Sequence, residues 1–138
     1  MRFRFLLSVV AILVVGIAGS ALAAKAIKVG GSVEYALAPP AGNEREGALS
    51  GDLDTRKVCR KKRTVTLLPA SDNFPNTTGY VIQLTTTKSG RFAGVYRVPG
   101  KPGAYGFTLT VEKVKRKVKG KTYLCKARHA AAATVTTS

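Results

Sequence analysis

The chain has 138 residues with 23 Lys and Arg, 7 Asp and Glu, one His and two Cys, and its formal net charge is +16. That length supports one domain with a modest core. One histidine and two cysteines make a thin metal-ligand set, and the charge favours polyanions, acidic lipid headgroups or acidic proteins as partners without speaking to the fold.

The first 23 residues read as a secretory signal peptide. Arg2 and Arg4 form a positive start, an apolar run spans residues 5–18, and Gly19-Ser20-Ala21-Leu22-Ala23 supplies an Ala-x-Ala ending. Cleavage is expected after Ala23 or Ala24. A membrane anchor is the rival reading, but a run of 14 residues falls short of the roughly 20 that a spanning helix needs. The two arginines are not adjacent and no cysteine flanks the cleavage point, so the general secretory route is preferred over twin-arginine export or lipidation. The expected destination is secreted or cell-envelope, with membrane contact only through the leader. The mature chain keeps 21 Lys and Arg against 7 acids, a charge of about +14.

Beyond the leader, strand signals dominate. Ile27, Val29, Val33, Tyr35 and Leu37 share odd parity, with Lys28, Ser32 and Glu34 between them, a period of two that suits a half-buried strand. Pro39 to Asn43 breaks it, so residues 24–47 read as an N-terminal strand and a Pro/Gly-rich linker. Residues 48–138 then form the core of what is expected to be one domain over 24–138. Ala48 to Leu53 is a weak strand candidate, and Thr64 to Leu68 is a β-branched run stopped by Pro69. Asp72 to Asn76 has turn chemistry. Gly79 to Thr87 is strand-like, Lys88-Ser89-Gly90 turns the chain, and Arg91 to Val98 returns.

Pro99 to Gly103 turns it again, and Phe107, Leu109 and Val111 then alternate with polar residues. Apolar parity switches from odd at Val111 to even at Val114 and Val118, which predicts a bulge or long turn near Lys113. Tyr123, Cys125 and Ala127 form a late strand in which Tyr123, sharing parity with Cys125, reads as a core residue. Val135 belongs to a last short strand in a tail expected to fray. About seven strands between Gly/Pro turns predict an all-β fold, a small antiparallel β-sandwich.

In an oxidising compartment Cys59 and Cys125 are expected to pair. The loop they close has 67 residues, worth roughly 4 kcal/mol on the chain-entropy view. A metal site using both cysteines and His129 is the competing reading.

Three landmarks carry a family resemblance. Cys59-Arg60-Lys61-Lys62-Arg63 leads into the strand Thr64-Val65-Thr66-Leu67. Thr86-Thr87-Lys88-Ser89-Gly90-Arg91-Phe92 has the form Thr-x-x-x-Gly-x-Phe. Gly103-Ala104-Tyr105 opens a strand, and Cys125-Lys126-Ala127 follows later. Over roughly residues 49–135 the chain resembles the transthyretin-like, carboxypeptidase-regulatory-like β-sandwich modules of secreted bacterial proteins. The resemblance implies an Ig-like or transthyretin-like sandwich, an extracellular setting, cysteines that join sheet edges, and an accessory, binding or structural role without catalytic residues. Lys88 and Ser89 depart from the family's hairpin, where an acidic residue is common, and the Pro/Gly segment before Gly103 is longer than usual.

Two basic clusters are the sharpest chemical feature. Arg56, Lys57, Arg60, Lys61, Lys62 and Arg63 surround Cys59, and Lys113, Lys115, Arg116, Lys117, Lys119 and Lys121 form the second. If the cysteines pair, the clusters could merge into one surface for a polyanion, such as a cell-wall polymer or an acidic protein, bound by counterion release. The alternative is a solvated hairpin whose charges discourage edge-to-edge aggregation. Aromatic interleaving is poor and no nucleic-acid module signature is present.

His129 lacks any accompanying Gly-x-Ser-x-Gly motif, and the pairs Glu44/Glu46 and Asp52/Asp54 each offer too few oxygens for calcium. Asn76-Thr77-Thr78 matches a glycosylation sequon but reads as an ordinary turn. No catalytic residue, cofactor or metal site is assigned. The expected function is a non-enzymatic binding or structural module, with a cationic polyanion-binding protein as the alternative. An extracellular enzyme or inhibitor, the latter using the loop Asp72 to Thr78, ranks third.

Overall fold

The structure is a computed structural model that describes residues 25–138. The expected signal peptide and its cleavage point lie outside the described residues. The described chain is all-β, with eleven β-segments and two short 3-10 turns. Two antiparallel sheets form a sandwich, and a small third sheet stands beside it.

The front sheet has the order β2-β3-β6, from β2 (Gly31–Leu37), β3 (Glu46–Thr55) and β6 (Arg91–Arg97). The back sheet runs from β5 (Ile82–Thr85) through β4 (Thr64–Pro69) to β7 (Gly103–Val111). On its far side β7 pairs with β10 (Arg128–His129) and β11 (Ala133–Thr137). The third, lateral sheet is β1 (Ile27–Val29), β9 (Lys121–Cys125) and β8 (Val114–Val118), in the order β1-β9-β8. Its β1–β9 pair is parallel, unlike every other pairing of the described strands.

Parity places the core. Leu49, Leu53, Phe92 and Tyr96 of the front sheet pack on Val65, Leu67, Tyr105, Phe107, Leu109 and Val111 of the back sheet, all nearly solvent-free. Val33, Tyr35 and Leu37 are half-buried against the same cluster, as their odd positions predict. A second, smaller cluster of Val29, Cys59 and Cys125, flanked by Val58, Val114 and Tyr123, fills the space under the lateral sheet. The two cysteines are bonded. A disulfide of this kind fits an oxidising, extracytoplasmic environment. Among the described residues no helix is long and apolar enough to cross a membrane.

Several segments differ from the sequence reading. The strand over Ile27 to Leu37 is two strands, β1 and β2, that separate at Gly30 and join different sheets. The weak candidate at Ala48 to Leu53 is the central strand of the front sheet, ten residues long. Its weakness in sequence has a packing cause. Gly47 pairs with Tyr96 and Gly51 with Phe92, and each aromatic side chain fills the space that a glycine Cβ would occupy. Segment 24–47 is not peripheral, because β2 pairs with β3 along its whole length and Pro39 to Asn43 is only the connection between them.

The parity switch near Lys113 is a change of sheet, since β7 ends at Val111 and β8 starts in the lateral sheet. The tail is held along β7, from Ala133 opposite Phe107 to Thr137 opposite Gly103. These splits and additions raise the expected seven or so strands to eleven short segments.

Candidate functional site

The disulfide brings the two basic clusters together. Cys59 closes the 3-10 turn Lys57–Cys59, and Cys125 ends β9. A groove of about 1050 Å³ lies between these elements. One wall is Arg56, Lys57 and Val58 with Lys61 and Lys62 of the following turn; Lys88, from the hairpin before β6, adds to it. The other wall is β8 and its turn, from Lys115 to Lys119, with Tyr123 of β9. Nine of these twelve lining residues are Lys or Arg and none is acidic.

The two arginines of the lining are held by specific contacts. Arg116 projects from β8 to the facing turn, where its guanidinium donates to the carbonyl oxygens of Lys61 and of Lys62, the latter at 3.1 Å. It therefore lines the groove and also ties its walls. Arg56 lies over the Tyr123 ring, 5.5 Å from the centroid, a cation–π contact that seats both at the groove. Tyr123 also packs on the disulfide cluster, so the expected core residue is half-buried with one side toward the groove.

Lys62 (φ 52) and Lys119 (φ 50) are the two described non-glycine residues in the left-handed region, and both line the groove. A side chain with a Cβ costs roughly 1 kcal/mol or more in that conformation, where Gly or Asn is the usual occupant. Lysine stands at both positions against that local preference.

Of the other residues expected to bind polyanions, Arg63 takes no part in the surface. It is 2% exposed, and its guanidinium donates to the carbonyl oxygens of Cys59 (3.0 Å), Glu112 (2.8 and 3.2 Å) and Lys126 (3.0 Å). Burial, and then the neighbouring charges of Arg116 and Arg128, hold its pKa below the usual arginine value. From the entry to β4 it joins the disulfide turn, the end of β7 and the exit of β9. Arg60 is half-buried and donates through Nε to the Thr55 carbonyl at 2.9 Å, outside the groove lining. Lys113 and Lys121 are exposed at opposite ends of the β8–β9 hairpin and do not line it. Lys88 lies outside both basic clusters of the sequence, and only the fold carries its hairpin to this groove.

The charge of the groove is not neutralised from within. Among the described residues one ion pair is present, Arg91 to Asp52 at 3.8 Å, and both side chains are well exposed. Four of the chain's acids, Glu34, Glu46, Asp52 and Asp54, occupy exposed positions on the outer side of the front sheet. Elsewhere the chemistry is structural. His129 Nδ1 lies 3.2 Å from Thr110 Oγ1 in the back sheet. No group of three His, Cys, Asp or Glu side chains gathers as a metal site among the described residues. The loop Asp72 to Thr78 is anchored by Phe74, whose ring lies 5.1–5.4 Å from those of Tyr80, Tyr105 and Phe107 in tilted and edge-on contact. Comparison with known proteins gives no matching family model, curated protein or solved structure.

Proposed function

We propose that this chain is an exported, non-enzymatic β-sandwich module that binds an anionic polymer in its cationic groove. The observation that carries this reading is the convergence of nine Lys and Arg, without one acid, on a single groove assembled from both basic clusters. Two left-handed lysines at its rim support it, since selection for stability alone favours Gly or Asn there. The resemblance to transthyretin-like modules of secreted bacterial proteins points the same way, toward an accessory role, and the leader and disulfide suit an extracytoplasmic protein.

The test is binding of the oxidised mature domain to anionic polymers of matched charge density across a salt series. Affinity should persist near physiological salt for at least one polymer and fall linearly on a log–log plot, by roughly 0.7–0.9 per anionic group neutralised. The double change Lys115→Glu, Lys117→Glu should lower affinity at least about tenfold, because each reversal adds repulsion to lost attraction. Equal, weak binding of every polymer, insensitive to these changes, refutes the groove as a site.

A further inference from the structure

The lateral sheet ends in an unpaired edge beside the groove. β8 pairs with β9 alone, and no backbone group of Val114–Val118 bonds to any other described element. The turn between them has two residues, Lys119 and Gly120, both with positive φ. A two-residue hairpin turn of that form makes the flanking pair, Val118 and Lys121, exchange both hydrogen bonds. Alternation along an antiparallel ladder then gives ladder bonds to Arg116 and Val114. The N–H and C=O groups of Lys115 and Lys117 are left pointing away from β9.

We propose that the groove receives an extended acidic polypeptide segment, which adds a strand to the free edge of β8; the inference rests on the anion-binding reading above. Two outward residues, spaced by one, each offer a donor and an acceptor in the register that an extended peptide matches. Inorganic polyphosphate, by contrast, is held by the side-chain charge and supplies no donor for the two carbonyls. The lining also contains Val58, Val118 and Tyr123, an apolar set suited to the alternate side chains of a strand whose other residues are acidic.

Edge lysines commonly discourage pairing. Here they do so selectively: neutral or basic strands, including further copies of β8, are turned away, and an acidic strand is attracted.

The experiment compares an alternating Glu/Val peptide with inorganic polyphosphate, on the wild-type protein and on Lys117→Ala and Lys117→Pro. Both variants lose the same charge. Proline removes only the outward N–H of residue 117 and leaves the ladder to β9 intact, a position where edge strands tolerate it. Lys117→Pro should bind the peptide about tenfold more weakly than Lys117→Ala, with polyphosphate affinity equal in the two.

As a second arm independent of variant folding, the peptide is N-methylated at alternate amides in each of its two registers. One register should lose binding to the wild-type protein and the other keep it. Equal peptide affinity of the Ala and Pro variants, or full binding by both methylated peptides, overturns strand addition. Polyphosphate binding without peptide binding at matched charge also overturns it and leaves the groove reading standing. Failure of both probes at low salt removes both.

Discussion

Arg63 shows how one side chain can be basic in composition and structural in place. Its three nitrogens serve three separate carbonyls, which a compact ammonium cannot reach together. Arg63→Lys should therefore cost about 2 kcal/mol or more in denaturant unfolding, while the folded variant keeps its affinity for polyanions. Lys119 predicts the reverse pairing of effects. Lys119→Asn should raise stability by up to about 1 kcal/mol, since Asn suits a left-handed hairpin position, and should weaken anion binding.

Two tyrosines set a pH dependence. Tyr96 donates to the Ala38 carbonyl at 2.6 Å and Tyr35 to the Ala131 carbonyl at 2.8 Å, and burial raises the pKa of both above 10.0. Their folded-state pKa exceeds the unfolded value, so the stability they supply is complete below pH 10.0 and drains as pH rises past it. The slope is up to about 1.4 kcal/mol per pH unit for each hydroxyl, and Tyr96→Phe should flatten it in urea titrations at alkaline pH.

Among the elements, the disulfide decides whether the groove exists. It joins the turn that carries Arg56 to Lys62 to the strand that backs β8, across 66 positions of sequence. Replacing both cysteines by serine should cost roughly 4 kcal/mol and uncouple the lateral sheet from the sandwich. Polyanion affinity should fall more than for any single lysine-to-alanine change, because the two walls are then held by the hydrogen bonds of Arg63 and Arg116 without a covalent tie. Binding and thermal unfolding of the double variant, beside the reduced wild-type protein, check both effects. Strands are legible in the sequence where burial is one-sided. β7 was legible because Phe107, Leu109 and Val111 alternate with polar neighbours and each is fully buried. β3 was faint because two of its inward positions are glycines whose volume is supplied by Tyr96 and Phe92 from the next strand. A cross-strand partner leaves no trace in the local pattern of the strand it completes.

Across the described chain the groove excludes acids, whereas the outer side of the front sheet carries acids together with Arg91 and Arg97. The groove holds nine cations and no acid, and four acids lie on the outer side of the front sheet. Glu34→Gln on that side should change affinity by less than about twofold, against the tenfold effect of reversal at Lys115 and Lys117. The proposed export makes its own prediction: mass measurement of the protein outside the cell should find a chain that starts at Ala24 or Lys25.

The β class and the two basic clusters are legible in the sequence alone, because alternation and composition are local properties, while the pairing of the two cysteines across 66 positions is an expectation that the structure decides. Tertiary structure alone decided which of those bases face one another. The same parity that hides Leu67 cannot tell that Arg63 turns inward to three carbonyls, that Lys88 arrives from a distant hairpin, or that β8 is left with a free edge. Those outcomes depend on sheet switching at Gly30 and after Val111, and on contacts between residues far apart in the chain.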